Sequence, residues 1–167
     1  ARLYNCLVDG NDAKYGAGAF FGIGTDTAWI NCTVARNTAA NTGGGMYLRS
    51  GTNSIVNSIL YDNTAAVSSN YHILTAVPVF SNSCAAPAPA GANDGGGNTN
   101  ASPLFVDLDA GKFQLQPGSP CVNTGSNQTW MADAFDLDGR HRLDRFSGRV
   151  DMGCYEYVSR GTLFGFR

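Results

Sequence analysis

The feature that most constrains the fold is a repeat. Leu3-Tyr4-Asn5-Cys6 recurs as Trp29-Ile30-Asn31-Cys32, as Ile55-Val56-Asn57-Ser58 and, more weakly, as Ser81-Asn82-Ser83-Cys84, each step being 26 residues. Asn11, Asn37 and Asn63 keep the same register, and Gly18 and Gly44 add a third column. A fixed period means that one supersecondary unit is stacked on the next. Leucine-rich repeats are of similar length, but their fixed leucines are missing here. Two-helix repeats need more residues and strong helix formers, which are scarce in this chain. Of 13 acidic residues only Glu156 is Glu, and of 11 basic ones only Lys14 and Lys112 are Lys. That composition also excludes coiled coils and helix bundles.

Each unit instead offers two short β-like runs, such as residues 29–35 and 45–49, separated by Asn, Thr and Gly. This describes one coil of a parallel β-helix, an all-β solenoid with about 26 residues per coil. Coils stack at the inter-strand spacing of about 4.8 Å, so equivalent residues lie above one another. An Asn at a corner then bonds to the next Asn along the stack, as in other stacked-strand assemblies, and tolerates the left-handed backbone that corners need. The expected ladders are Asn11, Asn37 and Asn63, and Cys6, Cys32 and Cys84 with Ser58 between them. Carrying strand alternation through each unit points Tyr4-Cys6-Val8, Ile30-Cys32-Val34 and Val56-Ser58-Leu60 inward. Leu3, Trp29 and Ile55, with Asn31, then face outward as an apolar contact surface, or lie under something that covers them.

The regularity fades after residue 80. Residues 1–80 read as regular coils and 81–100, with Pro87, Pro89 and Gly95-Gly96-Gly97, as a loop or insertion. Residues 101–167 read as C-terminal β-helix coils and a cap with a long excursion at 125–148, since a solenoid end that breaks the repeat serves as its cap.

That C-terminal part carries a resemblance. Its residues are Ala101-Ser102-Pro103-Leu104-Phe105-Val106-Asp107, Phe113-Gln114-Leu115-Gln116-Pro117-Gly118-Ser119-Pro120-Cys121-Val122-Asn123-Thr124-Gly125, Asp136-Leu137-Asp138-Gly139-Arg140 and Val150-Asp151-Met152-Gly153-Cys154-Tyr155-Glu156. The string resembles the C-terminal end of secreted bacterial proteins of the choice-of-anchor Q domain type. The body repeats are similar to those of chlamydial polymorphic outer-membrane proteins. The resemblance implies a right-handed parallel β-helix, exported and surface-associated, often with an anchor beyond this region, and it implies no established catalytic residues. Arg140-His141-Arg142 departs from the usual pattern after Asp-Gly, so the excursion is expected to differ in shape.

Five cysteines, odd in number, read first as small buried side chains. Cys6–Cys32 and Cys121–Cys154 are alternative disulfides in an oxidising compartment. Zinc is not expected, because no Cys-x-x-Cys occurs. Asp9, Asp12, Asp26 and Asp62 form no shared acidic column, although Asp9 and Asp12 could meet Arg36 and Asp62 along one edge. Asp133, Asp136, Asp138, Asp144 and Asp151 with Arg140, Arg142, Arg145 and Arg149 read as paired charges that hold a loop. A calcium ion at Asp136 and Asp138 is the alternative, weakened by the missing later ligands. Trp29, if outward, offers a sugar platform with Asn31 beside it.

Net charge is −2, which leaves no electrostatic footprint for nucleic acid, and no apolar run approaches the ~18 residues of a membrane span. The chain opens in mid-strand without a signal peptide, as a mature fragment or C-terminal portion would. The expectation is a non-enzymatic, cofactor-free, extracellular or cell-surface structural or adhesive β-helix, self-associating end to end or laterally. A carbohydrate-binding module, or a fragment of a polysaccharide lyase or hydrolase, is the alternative.

Overall fold

The computed structural model describes residues 1–158. The first coil holds β1 (Arg2–Tyr4), β2 (Leu7–Asp9), β3 (Asp12–Tyr15) and β4 (Ala19–Phe21). The second holds β5 (Thr27–Ile30), β6 (Thr33–Ala35), β7 (Thr38–Thr42) and β8 (Met46–Leu48), and the third β9 (Thr52–Val56), β10 (Ile59–Tyr61), β11 (Thr64–Val67) and β12 (Tyr71–Ile73). A fourth begins with β13 (Val77–Ser81) and β14 (Cys84–Ala85), and β15 (Phe105–Asp107) and β16 (Lys112–Leu115) follow. Equivalent strands pair in parallel in four sheets, β1-β5-β9-β13, β2-β6-β10-β14, β3-β7-β11 and β4-β8-β12. The chain is a β-solenoid of about three turns with about 26 residues per turn.

The corners follow from residue type. Asn5, Asn31, Asn57 and Asn82 all take left-handed backbone, with φ between 46° and 53°, and so do Gly10, Arg36 and Asp62 at the next corner. Asn adopts this region at little cost because its short amide bonds locally. Where coils pass closest, only glycine fits: a Cβ on Gly45 would stand 2.3 Å from the Asn70 carbonyl oxygen.

The left-handed Asn also overturns the expected faces. It resets the alternation, so the residue two before it and the residue after it both point inward. Trp29 (4% exposed) and Ile55 (0%) therefore join Cys32, Val34 and Leu60 in the core, with Leu3 packed against them, while Tyr4 faces out. Trp29 meets Phe21 edge-on at 5.8 Å. The surface of Leu3, Trp29 and Ile55 lies inside the solenoid and offers no outward contact. Asn31 does leave the core, yet it is fully covered by the C-terminal segment.

A second correction concerns the cysteine column. The third and fourth coils are offset by 25 residues, Ile59 pairing with Cys84. Asn82 therefore takes the corner, and Ser83 rather than Cys84 continues the column of Cys6, Cys32 and Ser58. The Cys32 N–H donates to Ser58 Oγ and the Ser58 N–H to Ser83 Oγ, each at 3.1 Å. Cys84 belongs instead to a second apolar cluster with Ile59, Phe105, Phe113, Leu115, Cys121 and Met152, outside the second sheet.

Residues 94–99 run parallel to the last strands through the pairs Phe80–Asp94 and Cys84–Thr99, a shortened rung where a loop was expected. After it, β15 and β16 pair antiparallel, so among the described residues the C-terminal part adds a hairpin where further parallel coils were expected. The segment then folds back along the solenoid. Its backbone is caught by the Asn corner: Asn5 Nδ2 donates to the Phe135 carbonyl (2.8 Å), Asn31 to Asp151 (3.0 Å), Asn57 to Ser126 (2.9 Å) and Asn82 to Thr124 (3.2 Å). No helix among the described residues is long and apolar enough to cross a membrane.

Candidate functional site

On the fourth sheet, Ala19/Phe21, Met46/Leu48 and Tyr71/Ile73 fill or flank the core. The residues between them, Phe20, Tyr47 and His72, pair in register and point out. Their rings form a stack along the solenoid axis: Phe20 on Tyr47 at 5.1 Å and 7°, Tyr47 on His72 at 5.1 Å and 25°. Tyr15 meets Tyr47 edge-on at 5.9 Å. Phe20 remains 52% exposed, a large apolar area for a solvent face. Tyr15, Phe20, Tyr47, Arg49 and Leu74 line a cup of about 250 Å³. The Lys14 ammonium sits 5.6 Å from the Tyr15 ring centroid. One cation, Arg49, thus shares the cup with three aromatic rings, and no carboxylate lines it.

Sequence reasoning missed this site because the column does not recur at 26. Phe20 and Tyr47 are 27 residues apart, and Tyr47 and His72 are 25 apart. One extra residue enters the second coil between Ala39 and Thr42, and the third coil lacks it. Aligning the triplets 19–21, 46–48 and 71–73 with a gap allowed at the glycine turns would have exposed it.

Other cavities border the ends of the described chain. A groove of about 630 Å³ over the first sheet has Ala1, Arg2, Asp26 and Thr52 in its wall, and another beside Arg140, Glu156 and Tyr157 ends at Val158. The aromatic cup draws its wall from the first, second and third coils.

The residues singled out as chemistry-bearing are otherwise engaged in holding the molecule together. Asn11, Asn37 and Asn63 form the expected ladder, extended to Asn70: each Nδ2 donates to the next Oδ1 at 2.8, 2.9 and 3.0 Å. Asp9 accepts from Arg36 Nε at 2.7 Å, and Arg36 Nη1 also donates to the Leu108 and Asp109 carbonyls, both 3.0 Å away. Its guanidinium lies over Phe113, so this pair clamps the C-terminal hairpin to the coils. Asp12 takes no part.

In the cap, Arg142 is fully buried and donates from Nη2 to the Gly153 carbonyl (3.0 Å) and to Glu156 Oε1 (2.8 Å), while its Nε and Nη1 have no partner. Asp136 accepts the backbone N–H groups of Asp138, Arg140 and Glu156. Asp151 accepts those of Asn123 and Tyr157. Burial pushes Glu156 up to about 9 against the attraction of Arg142, and pushes Asp151 up to about 6. Burial also pulls the Arg142 guanidinium down. Among the described residues no three His, Cys, Asp or Glu side chains gather as a metal site would need.

All five cysteines are free thiols. Burial pushes Cys32 and Cys154 up to about 12, which keeps them protonated and unreactive. Cys121 lies in the outer apolar cluster together with Cys84 of the coils.

No family model matches the chain, and neither the curated proteins nor the solved structures include a match. What stands is the class: a parallel β-solenoid of about three turns, closed along one flank by its own C-terminal segment.

Proposed function

We propose that the protein is a structural and adhesive β-solenoid of a bacterial surface, holding its partner by contact without chemical turnover. The observation that carries this reading is the aromatic stack on the fourth sheet. A solenoid repeats its faces at every coil, and here one flank is sealed by the C-terminal segment while Phe20 stays exposed and Tyr47 and His72 stay half-buried beside it. Exposed apolar clusters of this kind mark interaction sites. The engagement of Asp9, Asp136, Asp151 and Glu156 in structural bonds supports a role without acid–base catalysis. The C-terminal string quoted above supports kinship with the choice-of-anchor Q type, and with it an exported location.

Binding of the purified chain to isolated bacterial envelope material, followed by co-sedimentation, tests the reading. Wild type should sediment, and Phe20→Ala with Tyr47→Ala should remain in the supernatant. Equal sedimentation of the two, or release of reducing sugar from the envelope, would count against it.

A further inference from the structure

We infer that the cup on the fourth sheet takes a uronic-acid residue of an anionic polysaccharide, an inference that rests on the adhesive reading above and names its ligand. Three features of the cup converge on this chemistry. Its walls are aromatic: Phe20 and Tyr15 are about half exposed, at 52% and 40%, and offer apolar surface to the C–H face of a pyranose ring. Tyr47 has both faces occupied by Phe20 and His72, so it contributes its outer edge and phenol oxygen. The seat is therefore beside the stack, between Tyr15 and Phe20, and its volume of about 250 Å³ admits a single sugar ring.

The rim is cationic. Arg49 lines the cup, and it is exposed, with no carboxylate among the residues around it. A guanidinium presents two parallel N–H groups that match a carboxylate. Lys14, outside the wall of the cup, holds its ammonium 5.6 Å from the Tyr15 ring centroid and adds positive charge nearby. The net charge of the whole chain is −2, so this local excess of cations runs against the average of the surface. A neutral glycan would use the rings and leave Arg49 idle. An acidic peptide would use the cations and leave the rings idle. A uronate uses both.

Affinity electrophoresis of the 167-residue chain in gels containing polygalacturonate, dextran or poly-glutamate decides it. Polygalacturonate should retard the wild type, with dextran and poly-glutamate having little effect. Arg49→Gln and Phe20→Ala should each weaken the retardation about tenfold in apparent Kd, and added salt should weaken it further. Both side chains are exposed, so circular dichroism should show unchanged folding in the variants.

Equal retardation by dextran, with Arg49→Gln unchanged, overturns the uronate assignment and leaves the adhesive reading standing. Equal retardation by poly-glutamate, with Phe20→Ala unchanged, overturns it in favour of charge alone. Retardation by none of the three also overturns it. The envelope co-sedimentation then shows whether the adhesive reading falls as well.

Discussion

In the coils a buried amide meets its own kind. Asn37 accepts from Asn11 and donates to Asn63, so one residue type at one corner closes its hydrogen bonds by repetition. In the C-terminal segment four buried side chains are ionisable, Asp136, Arg142, Asp151 and Glu156, and they form no repeating column. Arg142 meets one carboxylate and two carbonyls, while Asp136 and Asp151 are spent on backbone N–H groups. The difference teaches how each region fails. A ladder loses one rung and keeps its neighbours, whereas a single buried ion pair has no neighbour to take its load. The two tryptophans report on the regions separately, Trp29 from the solenoid core and Trp130 from the cap, where it meets Tyr4 at 5.1 Å.

The largest effect should come from the cap. Arg142→Met takes the buried donor away from the Asp151 and Gly153 carbonyls and from the Glu156 carboxyl, and each buried group left without a partner costs about 1–3 kcal/mol. In urea unfolding of a Trp29→Phe background, the Trp130 transition should move to much lower denaturant. The paired change Arg142→Met with Glu156→Met should recover part of the loss, because the buried carboxyl left without its donor is gone. If the single variant unfolds like the parent, the cap is not held by this pair, and the contrast with the coils collapses.

The pH response comes next. Glu156 titrates near 9 in the folded chain against an ordinary value of 4.5, and Asp151 near 6 against 3.8. Both groups are raised on folding, so their contribution is complete below the ordinary values and is lost as pH rises through the folded ones. The Trp130 transition should therefore weaken as pH rises from 4.5 to about 9, most steeply below about 6, where both groups contribute. The Trp29 transition should stay nearly flat there. Glu156→Gln should remove most of the Trp130 slope. A slope of equal size at both tryptophans would mean that coils and cap unfold as one unit.

These two regions were also unequally legible in the sequence. The coils could be read because their residues are equivalent by symmetry. Once Asn11, Asn37 and Asn63 share a period, stacking at the strand spacing places them in contact, and no side-chain detail is needed. Trp29 was misplaced for a local reason: alternation holds within a strand, and the left-handed Asn31 ends the strand. Phe20, Tyr47 and His72 stayed hidden because one extra residue in the second coil breaks the period on either side of it. Arg142 and Glu156 carry no repeat at all. Their pairing joins residues brought together only after the segment has folded back, and charge pattern alone does not separate them from the exposed Arg145 and Arg149.

The smallest effects belong to the ladder, and their gradation sharpens the comparison most. Asn37 is fully buried between two partners, and its Nδ2 also donates to the Val8 and Ala35 carbonyls at 2.9 and 3.0 Å. Asn37→Ala strands the Asn11 side chain on one side and Asn63 on the other, so it should cost about 1–3 kcal/mol, the range for buried groups left without a partner. Asn11 is exposed at the first rung, and its own Nδ2 reaches Asn37 and the Asp9 carbonyl. Water replaces what Asn11→Ala removes, and Asn37 Oδ1 still accepts the backbone N–H of residue 11 at 3.0 Å. The cost should therefore stay near 0.5–1 kcal/mol, about that of an ordinary solvated hydrogen bond. Both shifts should be read at Trp29 in a Trp130→Phe background. Equal losses for the two variants would mean that the ladder acts as a cooperative wire, and the coils would then share with the cap the all-or-none failure that their repetition is argued to prevent.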